Sequence, residues 1–171
     1  MKSEIKLREL VLEDKIAITN MLNNKNIWNN LRDYIPYPYK NNDAKVFITS
    51  AKTKTPVENF GIEYNGELCG IVSVEPQNDV YRLNGEIGYW IGEQYWGQGI
   101  GTKAIELMTD YAFNILKLKR IYAGVFGFNT ASMAVLEKNG YKKEAILKSK
   151  IIKNETIFDE HLYAKLMTED K

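Results

Sequence analysis

Apolar and polar positions change period several times along the chain, and each change predicts an element. Ile5 to Leu10 (IKLREL) alternates apolar and charged residues, the period of a half-buried strand. Glu13 and Asp14 then open a helical stretch carrying Ile16, Ala17, Met21 and Leu22, with both acids at the positive end of the helix dipole. An asparagine-rich run from Asn23 to Asn30 favours turns over helix interior. In LRDYIPYPYK, residues 31–40, Pro36 and Pro38 exclude helix and impose extended backbone among aromatic residues. Asn42 or Asp43 caps a second helix that ends near Lys52.

The middle of the chain reads as β. Val57–Tyr64 and Glu67–Glu75 flank Asn65-Gly66, a strong hairpin signal, and Gly85–Gly92 reads as another strand. From Gly99 the period becomes 3.6, with Ile100, Ala104, Leu107, Met108, Tyr111 and Ile115 forming one stripe of a long helix. Leu118–Phe128 is a strand, and Thr130–Lys138 a short helix stopped by Asn139-Gly140. Two last strands, about Tyr141–Ile152 and Glu155–Leu166, meet at Lys153-Asn154. The order β-α-α-β-β-β-α-β-α-β-β mixes hairpins with one strand–helix–strand crossover, which makes the class α+β with a mixed sheet.

Composition narrows the chemistry. At 171 residues, with 44% hydrophobic and 26% charged positions, the chain suits one globular domain, residues 1–171, without repeats or linkers. A formal charge of +1 supplies no global attraction for nucleic acid or anionic membrane. Cys69 and His161 are the only residues of their kinds, which excludes an internal disulfide and leaves too few soft ligands for zinc, so no metal is expected. Ser-His-Asp and Cys-His catalysis would rest wholly on His161, with no Gly-x-Ser-x-Gly elbow present. The opening MKSEIKLREL lacks an apolar run, and no stretch approaches about 20 apolar residues, so the expected compartment is the cytoplasm.

The informative stretch is EQYWGQGIG, where Gly97, Gly99 and Gly101 alternate as a strand hands over to a helix. Glycines there let backbone N–H groups approach a ligand, and the helix amino end adds partial positive charge, which predicts a phosphate or pyrophosphate site. A tight turn without a ligand uses glycines equally well. The Walker A loop does not fit, because no Gly-Lys pair exists, and Gly-x-Gly-x-Gly is not the Rossmann spacing.

The segment resembles the acetyl-CoA loop of the GNAT N-acetyltransferase superfamily, Gln/Arg-x-x-Gly-x-Gly/Ala. Trp96-Gly97-Gln98-Gly99-Ile100-Gly101 occupies it, with Trp96 in place of the usual Gln or Arg. Tyr95–Gly99 matches the Tyr-Trp-Gly-x-Gly form of the branch similar to ribosomal-protein N-terminal acetyltransferases. NTASMAVLEKNGYKKEA, residues 129–145, resembles a second block of that branch, as do the opening LREL and the PYPY stretch. The resemblance implies a mostly antiparallel sheet of about seven strands with a splayed parallel pair, flanked by about four helices.

It also implies roles. Gln98, Gly99, Ile100, Gly101 and Thr102 would cradle the CoA pyrophosphate, and Trp90 and Ile91 would pair with pantetheine like an added strand. Asn129 would bond pantetheine, a role compatible with plain helix capping. Glu86 is the candidate base, or else a strand carboxylate paired with Arg82 or Arg120. Many relatives carry a tyrosine acid where this chain has Leu136. Ser132, one turn away, is the candidate replacement unless it is only a small packed residue, and Tyr141 is the weaker alternative.

Trp28, Asp33, Tyr34 and Tyr37 are the candidate acceptor wall, where aromatic rings and a carboxylate suit a cationic amine; the same rings can equally close a core. Asp159, Glu160 and His161 are expected to face the same site. The function that follows is acetyl transfer from acetyl-CoA to a protein N-terminus or a small amine, with neither nucleic acid nor membrane as partner. Exposed aromatic residues suit a homodimer. The alternative is a non-catalytic acyl-CoA sensor on the same fold.

Overall fold

The computed structural model describes residues 4–167. Its strands are β1 (Ile5–Arg8), β2 (Asn59–Tyr64), β3 (Glu67–Pro76), β4 (Asn84–Ile91), β5 (Arg120–Phe126), β6 (Lys142–Lys153) and β7 (Thr156–Leu166). Its α-helices are α1 (Lys15–Leu22), α2 (Lys25–Trp28), α3 (Asn41–Ala51), α4 (Ile100–Asn114) and α5 (Thr130–Lys138). The strand order is β1-β2-β3-β4-β5-β7-β6, with β4 and β5 the parallel pair. The expected mixed α+β sheet of seven strands is therefore present. The fifth helix, α2, falls in the asparagine-rich run: Asn24 caps its first turn by accepting from the Asn26 N–H at 2.8 Å. A residue type that disfavours helix interiors thus starts a helix from its cap.

The chain forms two compact units, residues 1–73 with 89–104 and residues 74–88 with 105–171, and β3 and β4 run through both. In the first unit, Asn65 and Gly66, at φ 51° and 89°, turn β2 into β3 as their sequence predicts. The core there gathers Leu10, Ile18, Leu22, Tyr39, Ala44, Ile48 and Ile71 under α1 and α3. Helix α3 begins before either expected cap, because the Asp43 carboxylate reaches back to accept from the Lys40 N–H at 2.8 Å. Asn23 exchanges two bonds with Tyr39, accepting from its N–H at 2.8 Å and donating to its carbonyl at 2.7 Å, which pins the end of the proline segment to the end of α1.

Arg8 joins β1 to the start of α1. Its guanidinium donates to both oxygens of Asp14, at 2.8 and 2.7 Å, and its Nε to Glu63 at 2.8 Å. Asp14 is 7% exposed and also accepts from the Val11 N–H. Burial pushes the Asp14 carboxyl up, but the Arg8 and Val11 bonds and the Arg8 charge more than offset it and hold the group below its usual range.

In the second unit, β5 pairs antiparallel with β7 from Arg120↔Leu166 to Phe126↔Glu160, and β7 with β6. Ile121, Ala123, Val125 and Tyr163 are buried on one sheet face, where the Tyr163 hydroxyl donates to Glu137 of α5 at 2.8 Å. Strands β4 and β5 pair from Asn84↔Arg120 to Glu86↔Tyr122, and β4 continues to Ile91 and β5 to Phe126. The final hairpin turns at Asn154-Glu155, one residue later than expected, since both adopt positive φ and Lys153 pairs with Thr156.

Helix α4 corrects the expected stripe. Its buried residues are Ile100, Ala104, Ile105, Met108, Thr109, Ala112 and Phe113, while Ile115 lies past the helix and is exposed. The period is right and the face is rotated by about one position, because Thr109 can turn inward: its hydroxyl pairs with that of Tyr141 at 2.7 Å.

Asp14→Asn is expected to cost about 2–3 kcal/mol at pH 7, the scale of a buried charge-assisted pair. A carboxyl held low in the fold contributes stability above the unfolded value near 3.9 and loses it as pH falls through the folded value. Thermal unfolding from pH 7 to pH 3 therefore shows a gap between wild type and variant that begins to narrow below about pH 4. A gap that stays constant to pH 3 would remove the ion pair as its cause.

Candidate functional site

In the first unit the end of β4 is shaped by its neighbour β3. A Cβ on Gly70 would stand 2.3 Å from the Trp90 carbonyl oxygen and 3.0 Å from the Ile91 side chain, so glycine alone admits this approach. The Gly92 N–H donates to the Cys69 carbonyl at 2.8 Å. The chain then makes a 3-10 turn over Glu93–Tyr95 and returns, and the Trp96 indole donates to the Ile91 carbonyl at 2.8 Å. Glu93 accepts from the side chains of Asn24 and Asn26, whose bonds hold its carboxyl below the usual range.

Gly97 and Gly99 follow at φ 74° and 77°, a region that L side chains avoid, and nothing lies within 4 Å of where a Cβ would be on either. Gln98 folds its side chain back toward the Gln94 carbonyl, 3.3 Å away. Gly101 packs under the Tyr89 ring, where a Cβ would lie 3.1 Å from Cε2. Ile100 is buried and anchors the first turn of α4, while Thr102 is half-buried. The Lys103 N–H donates to the Gly99 carbonyl at 3.1 Å and closes the first turn of α4, the end at which a helix directs its N–H groups outward. Open glycine backbone leading into these donors fits a pyrophosphate.

The predicted acceptor wall also lies in this unit. Trp28 donates its indole N–H to the Ile35 carbonyl at 2.8 Å and tilts against Tyr37, ring centroids 5.3 Å apart. Lys25 sits over the Tyr37 ring. Asp33 and Tyr34 are exposed, Tyr34 at 78%. The structure therefore joins Trp28 to Tyr37 and leaves Tyr34 outside that pair.

In the second unit Glu86 is half-buried on β4 opposite Tyr122. Arg120, one of its two expected ion-pair partners, instead makes a two-pronged pair with Glu144 at 2.7 and 2.5 Å, and Arg82 donates to the Asp79 carbonyl. Asn129 caps α5: its Oδ1 accepts from the Ser132 N–H at 3.1 Å. Ser132 is half-buried in the first turn, and Leu136, one turn on, is 1% exposed. Tyr141 is 2% exposed, and burial pushes its hydroxyl up to about 12, which suits the packed role with Thr109.

The three β7 residues expected at one site do not face one way. Successive strand residues alternate, so Glu160 shares the sheet face of Phe126, Tyr122 and Glu86, while Asp159 and His161 lie on the other. The Asp159 carboxylate is occupied by Lys148 at 2.8 Å and the Ser149 N–H at 2.9 Å. His161 Nδ1 is buried without a hydrogen-bond partner among the described residues. Two features escape sequence reasoning. The Trp96–Ile91 bond has no local signal, whereas the facing of Glu160 is present in the period of two.

A family model described as an acetyltransferase (GNAT) domain matches residues 4–142. The chain is 43% identical over 84 residues to "Probable N-acetyltransferase YjcK" of Bacillus subtilis (strain 168), covering 49% of this chain and 46% of that one. It is 29% identical over 147 residues to the spermidine N(1)-acetyltransferase of Escherichia coli (strain K12), covering 84% and 75%. The chain spans about half the length of the first of these relatives. In three dimensions it is similar to RimL, a ribosomal L7/L12 alpha-N-protein acetyltransferase solved with coenzyme A, at TM-score 0.83, 23% identity and coverage of 95% and 94%. With a family model matched over most of its length, the chain belongs to the GNAT acetyltransferase family.

Proposed function

We propose that the chain is one acetyltransferase domain that moves an acetyl group from acetyl-CoA to a primary amine by direct attack in a ternary complex. The observation that carries this reading is the segment from Trp96 to Thr102, whose open left-handed glycines run into the amino end of α4. Backbone N–H groups of residues 98–102 hold the pyrophosphate, and the backbone of Trp90 and Ile91 takes the pantetheine arm. Asn129 donates its amide N–H to pantetheine while its oxygen continues to cap α5.

In the reaction the neutral amine nitrogen attacks the thioester carbonyl carbon, a C–N bond forms, and the C–S bond breaks. At pH 7 freeing an α-amine of its proton costs up to about 1.4 kcal/mol and a lysine-like amine about 4.6. Glu86 takes that proton, through one water, and matters more for the second kind of amine. The Ile91 N–H donates to the developing oxyanion. The departing thiolate collects a proton from the Ser132 hydroxyl, Leu136 having none to give. Ser132 regains one lost by the attacking nitrogen through solvent, so that the second amine proton ends on the thiol. The acceptor meets the wall of Trp28, Asp33, Tyr34 and Tyr37. Its identity is a protein N-terminus, by analogy with RimL, or a small amine, by analogy with the spermidine enzyme.

Buried Leu136 in place of a hydroxyl acid favours one second reading, a sensor that binds acyl-CoA without turnover. Thermal unfolding separates the cofactor question from the catalytic one. Acetyl-CoA and CoA at about 100 times Kd are expected to stabilise by ~2.7 kcal/mol, roughly 5–10 °C, with no shift from NAD or ATP. A shift confined to NAD or ATP would mean the glycine loop serves another nucleotide.

Turnover, read as thiol release, tests the rest. Glu86→Gln is expected to lower kcat about a hundredfold while leaving the acetyl-CoA KM nearly unchanged. Turnover unaltered across pH removes Glu86 as base. Ser132→Ala is expected to slow thiol release several-fold in single turnover, and an unchanged rate assigns that proton to water.

A further inference from the structure

The sheet face that carries Glu86 in the second unit also carries a cluster with no part in the steps above. Glu160 of β7 lies opposite Phe126 of β5, and its side chain is 16% exposed. A Cβ on Gly124 would stand 2.8 Å from the Glu160 carboxyl carbon and 2.9 and 3.1 Å from its two oxygens, so the carboxylate lies flat over glycine backbone. Phe158, two residues back on the same face, stacks edge-on with Phe128 at 4.7 Å, and Phe128 with Phe126 at 5.7 Å. Phe128 is 40% exposed.

A cation already occupies this corner. The Lys150 ammonium donates to Glu160 Oε1 at 2.9 Å, from a side chain 53% exposed. Its position depends on a bulge in β6, where the register shifts between Leu147 and Ile151 and Ser149 takes φ 51°. Asp159 holds the bulge from the opposite face through Lys148 and Ser149. Bulges of this kind re-aim a side chain. A carboxylate has about four acceptor sites, so one lysine contact leaves most of them open. A half-exposed lysine contributes little to stability and exchanges readily for another ammonium.

We propose that Glu160 and the Phe126–Phe128–Phe158 rings form a subsite for a second positive charge on the amine acceptor, with Lys150 as its internal placeholder. The inference rests on the acetyl-transfer reading and names the acceptor class: amines that carry a further cation at a distance. Along β5, Tyr122 opposite Glu86 and Gly124 beneath the Glu160 carboxylate are two residues apart, about 7 Å. A reacting amine near Glu86 and a remote ammonium at Glu160 therefore require an acceptor that spans this separation. The second charge can belong to a diamine or to a basic side chain of a peptide.

The test uses the full chain with acetyl-CoA and straight diamines of three to eight carbons, each against the monoamine of equal length. A short peptide with lysine in second place is set against its norleucine counterpart. The wild type is expected to favour the longer diamines over their monoamines by about tenfold in KM, the worth of one charge-assisted hydrogen bond. Glu160→Gln erases that preference and leaves the KM values of monoamines and acetyl-CoA unchanged. Lys150→Ala removes the competing ammonium and lowers the diamine KM several-fold. Opposite effects from the two partners of one ion pair are not produced by loss of structure.

Equal discrimination by wild type and Glu160→Gln, or a higher diamine KM in Lys150→Ala, overturns the proposal and leaves acetyl transfer standing. Calorimetric titration of 1,6-diaminohexane without acetyl-CoA covers the case of no turnover. Binding by the wild type and its loss in Glu160→Gln then supports the subsite although the transfer reading has failed. No binding by either sinks the subsite itself. Whichever acceptor pair, diamine or peptide, shows the larger dependence on Glu160 identifies the source of the charge.

Discussion

The hydrogen bond from the Trp96 indole to the Ile91 carbonyl sets the geometry on which the candidate site in the first unit depends. It ties the last residue of β4 to the loop five positions later, so that the loop departs from a fixed point. From there Gly97 and Gly99 hold left-handed conformations without side chains in the way and lead into the first turn of α4. A backbone cradle requires this rigidity because its donors are peptide groups, and they point wherever the chain is held. The substitution of Trp96 for the usual Gln or Arg of the family loop thus exchanges a polar side chain for a ring that anchors backbone.

The same logic of backbone placement recurs at Gly70 and Gly124. Neither needs glycine for its φ; each needs it because another group occupies the Cβ position. At Gly70 that group is the Trp90 carbonyl, and at Gly124 the Glu160 carboxylate. Both positions lie in strand interiors, where glycine costs stability, so close approach is the physical reason for the choice. The Arg8–Asp14–Glu63 pairs serve a different end, holding β1, β2 and the start of α1 together through charge-assisted bonds in a partly buried setting.

Local signals were legible wherever the determinant lies within a few residues. Asn65-Gly66 made its hairpin, and α5 runs over Thr130–Lys138 between the Asn129 cap and Asn139-Gly140 as expected. Other features were hidden because their partners are distant. Helix α2 is capped locally, yet its Asn24 and Asn26 side chains bond Glu93, dozens of residues away. The inward face of α4 turned on a Thr109–Tyr141 pair that hydropathy cannot see, since threonine reads as polar until its hydroxyl finds a partner. Arg120 took Glu144 rather than Glu86, a choice between acids that charge counting leaves open.

By itself the sequence determined the α+β order, the hairpins, the short helix α5 and the glycine loop that marks the family. These follow from backbone propensity, periodicity and capping, all of which act over one or two turns of chain. Only the tertiary structure decided which side chains share a surface. The alternation of β7 separates Glu160 from His161, but strand pairing sets Glu160 on the face of Glu86 although they are far apart in the chain. The reason is that a strand's period assigns residues to two faces, while register and neighbouring strands decide what each face meets.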